Sequence, residues 1–366
     1  MKPGWTRVSL GDICELKYGK ALAANVRVPG EVPVFGSNGQ VGTHCSAVTS
    51  GPTIVVGRKG SFGLVNYSEV GCWPIDTTYY IDGTATEQDL RWLHHVLPSL
   101  HLTELNRAAA VPGLNREDAY RRELLLPPIE EQRRIAAILD HADQLVRMRQ
   151  KTLGEANRLL NGAVHRALAA SGTSVPLKEL ADVRIGPFGS LLHREDYVEG
   201  GVPLINPMHI VAGTLQADPA YSVSDDKAAQ LDRYRLREGD VVMGRRGEMG
   251  RCARVLDSHD GFLCGTGSLI IRPRPGRSRS TYLQCVLSAP RTVRSLESRA
   301  LGMTLPNLNS KIMEELPIPN LPLDDQRDLE ARVEQIDSLK AVMTVQATAL
   351  SRMFTSLQAR AFSGRL

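Results

Sequence analysis

The sequence predicts an α+β protein: two tandem, pseudo-symmetric globular segments separated by a long antiparallel two-helix coiled-coil rod. Three observations carry this. First, "LPPIEEQRRIAAILDHADQL" at 126–145 returns as "NLPLDDQRDLEARVEQIDSL" at 320–339. Second, the blocks ahead of these stretches recur in the same order. "LGDICELKYG" (Leu10–Gly19) faces "LKELADVRIG" (Leu177–Gly186), "IVVGRKGSFG" (Ile54–Gly63) faces "VVMGRRGEMG" (Val241–Gly250), and "PGLNRE" (Pro112–Glu117) faces "PNLNSK" (Pro306–Lys311). Third, each copy ends in a proline-free stretch with helical spacing, from about Glu131 to Ala170 and from about Asp324 to Phe362. Two large copies make a tandem duplication, not a solenoid. The segments expected are residues 1–125, 126–170, 171–319 and 320–366.

Residues 1–125 mix strands and helix. "PTIVVGRKG" and "DTTYYI" have the β-branched and aromatic content of strands. "TEQDLRWLHHVLPSL" reads as a helix, with Thr86 or Asp89 near its start and Pro98 near its end. Residues 171–319 repeat the mixture: "GDVVMGRRG" and "GSLIIRP" as strands, "STYLQCVLSAPRTVRSLES" as one helix.

The two helix starts are well formed. Pro128 and Pro322 suit a first turn, where a missing N–H costs nothing. Glu130, Glu131, Asp324 and Asp325 place negative charge at the positive end of the helix dipole. An apolar seam follows Ala142, Leu145, Ala156, Leu159 and Ala163 in the first helix, and Ile336, Leu339, Met343, Leu350, Met353 and Leu357 in the second, with Arg149, Thr152 and Gln346 interrupting it. This is coiled-coil spacing. At 1.5 Å per residue such a helix is a rod of about 50 Å. Its single apolar stripe needs a partner, and the other copy supplies one.

At 366 residues and 42% hydrophobic content the chain can build two cores. No apolar run approaches the roughly 20 residues of a membrane helix, and "MKPGWTRVSLGD" has no leader-like apolar core. Six cysteines are scattered without a C-x-x-C pair, which fits a reduced cytoplasm. The net charge of +4 is mild. Arginine concentrates between Arg233 and Arg299, with "RPRPGRSRS" at 272–280; this is either a phosphate-binding run or a solvated loop.

No catalytic constellation is legible. "GRKGSFG" lacks phosphate-loop spacing. "NPM" at 206–208 shares only two letters with a methyltransferase tetrapeptide. His44 and Cys45 have no second ligand pair, and no metal site is expected. The recurring "GRKG" and "GRRG" are the blocks suited to a ligand. Their glycines permit close backbone approach, and Arg58, Lys59, Arg245 and Arg246 then project toward a phosphate backbone or guanine. The alternative is a hairpin-like turn with solvated charges.

The doubled helix start, its "PGLN" and "PNLN" lead-ins, and "VSLGDICELKYG" resemble the specificity (HsdS-type) subunit of type I restriction-modification systems. "PVFGSNGQVGTH", "TIVVGRKGSFGLVNYSEVGCWPIDTTYYI" and "IGPFGSLLHREDYVEGGVPLINPMHI" are similar to that family's target recognition domains. The resemblance implies a non-enzymatic subunit whose two recognition domains each read one half of a split, asymmetric site in double-stranded DNA. It puts DNA contacts on Lys17, Lys20, Ser37, Asn38, Arg58 and Lys59 in the first domain, and on Ser190, His193, Arg194, Asn206, Arg245 and Arg246 in the second. It implies that the helices set the spacer and dock two modification (methyltransferase) subunits around Glu130, Gln132, Arg133, Arg134, Asp324, Gln326 and Arg327. S-adenosylmethionine and adenine-N6 methylation would belong to those partners, and restriction/translocase subunits would supply ATP-driven cleavage. Competing readings are a DNA-recognition subunit of another methylation or phage-defence system, a coiled-coil protein-binding adaptor, and an enzyme acting alone.

Overall fold

The computed structural model describes residues 2–105, 112–188, 191–300 and 308–366. The chain forms two compact units. Unit 1 is Met1–Thr152 with Met343–Leu366, and unit 2 is Leu153–Val342.

Unit 1 is built on a four-stranded antiparallel sheet in the order Lys17–Tyr18, Thr78–Asp82, Thr53–Gly57, Val65–Ser68. The central strand Thr53–Gly57 is buried on both faces, and its alternation sorts it between two cores. Ile54 and Val56 face the main core with Leu10, Ile81 and Trp92, while Val55 meets Phe35 and Cys72. The strand Val32–Gly36 lies between an antiparallel neighbour, Gly39–His44, and a parallel one, Trp73–Pro74. Helix Leu90–Val96 is capped by Asp89, whose side chain accepts from the Trp92 N–H at 2.9 Å. Thr6–Ser9 pairs with Glu123–Leu126 and brings the chain to the first long helix.

Unit 2 repeats this plan. Its main sheet runs Ala181–Ile185, Ser268–Pro273, Val241–Gly244, Cys252–Arg254, the same order of counterparts. Val202–Ile205 again has one antiparallel neighbour, Ser222–Val223, and one parallel neighbour, Leu263–Cys264. Ser174–Pro176 pairs with Pro317–Pro319. The divergence lies between Asn206 and Tyr221, where unit 1 has a tight hairpin and unit 2 inserts a further hairpin, Ile210–Val211 with Thr214–Leu215. Helix Asp225–Gln230 adds Ala228 to an enlarged second core around Leu204, Val223 and Tyr234. The single helix expected over "STYLQCVLSAPRTVRSLES" is two, Ser280–Ser288 and Pro290–Ala300. Ala289 is extended (ψ 138°), because the ring of Pro290 disfavours a helical conformation in the residue before it.

The long helices are Ile129–Ala170, 42 residues, and Leu323–Phe362, 40 residues. In unit 1 the chain leaves along the first and returns along the second, and Ile135, Leu139, Phe354, Leu357 and Ala361 share one core. In unit 2, Leu160, Val164 and Ala167 of the first pack with Leu329 and Val333 of the second. The covered line is a strict alternation of four and three. It runs Ile135, Leu139, Ala142, Val146, Arg149, Leu153, Ala156, Leu160, Ala163, Ala167, and residue for residue Leu329, Val333, Ile336, Lys340, Met343, Ala347, Leu350, Phe354, Leu357, Ala361, all buried or half-buried. This corrects the expected seam by one residue at six places: Val146, Leu160, Lys340 and Phe354 replace Leu145, Leu159, Leu339 and Met353, and the expected interruptions Thr152 and Gln346 give way to Leu153 and Ala347. Leu145, Leu159, Leu339 and Met353 are exposed, at 37%, 67%, 57% and 44%. A 3.5-residue repeat admits no adjacent pair, so Arg149 and Lys340 hold seam positions although Met148 and Leu339 beside them are more apolar.

Candidate nucleic-acid interface

In each unit the loops at one end of the main sheet are tied to the residues just ahead of one strand, and the ties are repeated. In unit 1, Gly19 N–H donates to Thr78 O (3.1 Å), Ile75 N–H to Phe35 O (2.9 Å), Arg58 N–H to Thr77 O (2.9 Å) and Leu114 N–H to Arg58 O (2.9 Å). In unit 2 the counterparts are Gly186 to Ser268 O (3.0 Å), Gly265 to Ile205 O (2.9 Å), Arg245 to Gly267 O (2.9 Å) and Leu308 to Arg245 O (2.9 Å). Gly57 is required here: a Cβ on it would stand 2.2 Å from Ser61 O. Gly60 and Gly247 turn the chain at φ 71° and 78°.

These ties bring together Lys20, Ser37, Arg58 and Lys59. Lys20 N–H donates to Pro74 O at 2.9 Å, Lys59 N–H and the Ser37 hydroxyl to Thr77 O at 3.1 and 2.6 Å. Asn38 is exposed at the adjoining hairpin tip. Lys17 stands apart, paired with Asp82 at 3.3 Å and bonded to Thr84. In unit 2, half-buried Asn206 lies beside Gly265 and the Arg245 loop. His193 and Arg194 are exposed on a separate turn, closed by the His193 N–H donating to Asp196 Oδ2 (2.7 Å). Ser190 lies outside the described residues.

The expectation that both cations of each block project is corrected. Lys59 and Arg246 are exposed, but Arg245 is only 2% exposed. Its Nε donates to Thr266 O at 3.0 Å, and its guanidinium lies 5.0 Å from the ring centre of Phe188. Burial, then the charge of Arg246, lowers its proton affinity from the usual arginine range. Arg58 does the same work: its Nε and Nη2 both donate to the counterpart carbonyl, Asp76 O, and its guanidinium lies 5.4 Å from the Tyr18 ring. A side chain that ties down its own loop is a strut, and sequence spacing does not distinguish a strut from a probe.

The arginines of the basic run at 272–280 are half-buried to exposed, but they are largely paired within the chain. Arg272 grips Asp240 with two bonds of 2.7 Å, Arg274 binds Asp182 at 2.7 Å, and Arg279 pairs with Glu330. Asp240 is 1% exposed, so this pairing compensates a buried charge.

At the helix starts, Glu130–Arg133 and Asp324–Arg327 are repeat-related exposed ion pairs, each 2.8 Å. Arg134 and Lys2 bind Glu131, both at 2.7 Å, and hold its carboxyl down at about 2. Gln132 and Gln326 do not belong to a docking surface, because they are 1% and 0% exposed. Gln132 Oε1 accepts from Asp89 N–H (3.0 Å) and its Nε2 donates to Pro127 O (2.9 Å). Gln326 Oε1 accepts from Arg279 N–H (2.9 Å) and its Nε2 donates to Leu321 O (2.7 Å). Each glutamine fastens a long helix to the N-cap residue of the helix that packs behind its unit's main sheet.

Sequence reasoning missed the exposed aromatics Tyr18 and Phe188, 53% and 55% exposed. The available signal was an aromatic set among glycines, "KYGK" and "GPFG". Among the described residues no helix is long and apolar enough to cross a membrane.

The family described as "Type I restriction modification DNA specificity domain" matches this chain twice, over residues 2–158 and 173–347. The type I restriction enzyme EcoBI specificity subunit of Escherichia coli is 21% identical over 411 residues, covering 99% of this chain and 86% of that protein. The crystal structure of a type I restriction-modification S subunit from M. genitalium superposes with a TM-score of 0.68 at 17% identity, over 98% of this chain and 96% of that one. A chain from a structure described as the basis of complex assembly and conformational transition of the type I system superposes with a TM-score of 0.56 at 18% identity, over 100% and 99%.

Proposed function

The chain belongs to the type I restriction-modification DNA specificity family, as a non-catalytic specificity subunit that works with DNA and the other subunits of its system, and on that premise we propose that each unit reads one half of a bipartite, asymmetric duplex site. The observation that carries this is the repetition of the loop frame. The same four backbone ties recur in both units, while the side chains they present differ: Lys20, Asn38 and Lys59 in one, Asn206 and Arg246 in the other. One frame with two sets of side chains is what reading two unlike half-sites requires. The exposed cations supply phosphate contacts, which fix register without reading sequence.

The long helices set the spacer between half-sites. Two modification subunits dock at the repeat-related helix starts, on the exposed residues Glu130, Arg133, Arg134, Asp324 and Arg327. S-adenosylmethionine and adenine-N6 methylation reside on those partners, restriction/translocase subunits join the same assembly, and the complex works in the cytoplasm. Two sites on one chain also bind together more tightly than either alone, through effective concentration.

Mapping methylated adenines across the host genome, with and without this chain, tests the reading. The expected result is one bipartite motif with a fixed gap that disappears when the chain is removed. A continuous motif, or an unchanged methylation pattern, would overturn it.

A further inference from the structure

Both units support an exposed aromatic ring on the same device, an arginine bonded to a loop carbonyl, half-buried in unit 1 and buried in unit 2. Tyr18 lies over Arg58, with Cζ 5.4 Å from the ring centre, and Phe188 over Arg245 at 5.0 Å. The two arginines are repeat counterparts, each held by the counterpart carbonyl, Asp76 O or Thr266 O. The rings are not counterparts: the residue matching Tyr18 is Ile185, and Phe188 comes three positions later. A single exposed apolar ring on a protein surface is ordinary. The same arginine carrying a ring that arrives from different positions in the two repeats points to a shared use for that ring.

We propose that Phe188 is a specificity-determining residue of unit 2, which contacts the 5-methyl group of a thymine in the major groove. The proposal rests on the reading that this unit faces DNA. Three features select this contact. One face of the ring is covered by the Arg245 guanidinium, so the ring cannot slide between base pairs as a wedge with both faces free. It has no hydrogen-bonding group, so it cannot read the donors and acceptors of the base edges. The apolar feature of the major-groove edge is the thymine methyl. Arg246, exposed and next in the chain to the supporting arginine, is placed to hold the neighbouring phosphate backbone. Arg245 is then a positioning residue: it stiffens the ring from behind.

The test uses the full chain with the host's modification subunit, bound to duplexes carrying both half-sites. Each thymine is replaced in turn by deoxyuridine, which lacks only the methyl group. One position in one half-site is expected to bind about fourfold more weakly, the value of burying one methylene-sized group. With Phe188→Ala that loss should vanish, while discrimination at all other positions stays. Phe188→Leu should keep the methyl sensitivity and Phe188→Ser should lose it, which decides the matter if the alanine variant binds too weakly to measure. The proposal is overturned if no thymine methyl matters to the natural chain, or if the sensitivity survives in Phe188→Ala and Phe188→Ser. A natural chain that binds a duplex with both half-sites scrambled as tightly as the intact one would instead bring down the DNA-specificity reading itself.

Discussion

The side chain of Gln132 accepts a hydrogen bond from the backbone N–H of Asp89 at 3.0 Å, inside the core of unit 1. Gln326 does the same with Arg279 at 2.9 Å in unit 2. Each glutamine spans some forty-odd residues of chain, |i−j| being 43 and 47, to join a long helix to the helix behind the main sheet. Both neighbouring N–H groups are at N-caps, where no intrahelical partner exists.

Gln132→Ala and Gln326→Ala are therefore expected to destabilise their own units by about 1–3 kcal/mol each, the cost of leaving buried polar groups unsatisfied. Hydrogen exchange should show faster opening of Leu90–Val96 in the first variant and of Ser280–Ser288 in the second. Faster exchange in both helices for either variant would contradict the separate roles. Gln→Glu is expected to be worse than Gln→Ala, because it buries a charge without a cation.

The exposed and buried members of each basic pair should behave differently. Lys59→Ala and Arg246→Ala should weaken DNA binding evenly across sequences and lower the salt slope by about one unit each, as loss of one phosphate contact does. Arg245→Ala should lower thermal stability as well, because it removes the bond to Thr266 O and empties a buried site. Binding measured over a salt series, with melting curves alongside, separates them. An Arg245→Ala chain of unchanged stability would contradict its role as a strut.

The helix starts carry the partner-docking expectation. Reversing both Arg133 and Arg327 to glutamate breaks ion pairs that are exposed, at 61% and 63% for the arginine side chains, and worth about 0–1 kcal/mol each. Stability should barely change, while co-purification of the modification subunit should fall. Unaltered complex formation on size-exclusion chromatography would restrict these charges to helix capping.

The spacer should follow the helices. The chain passes between units after Thr152 and after Val342. Inserting four residues at each point keeps the seam nearly in phase, since four residues add about 6 Å and little more than one turn. The methylated motif should keep both half-sites and gain one or two base pairs of gap. An active chain with the original gap would rule out spacing by helix length.

Much of this protein was legible in its sequence. The duplication, the strands Thr53–Gly57 and Val241–Gly244 and the two long helices follow from local patterns: apolar period, turn glycines, proline and acids at helix starts. Such patterns act through neighbours in the chain, so the chain order carries them. Other features depend on groups that meet only after folding. Leu145 and Val146 are equally plausible seam residues by composition, and only the strict 3.5-residue contact line puts Val146 inside. Arg245 and Arg246 are identical in type, yet the carbonyl of Thr266 draws one inward and leaves the other in water. The arginines of 272–280 read as a basic run until Asp240, Asp182 and Glu330 arrive beside them from distant positions. Local propensity decides which elements form. Which cation is a strut, which glutamine is a staple and which ring faces outward is decided by long-range partners, because the cost of burying a polar or charged group depends on what it meets there.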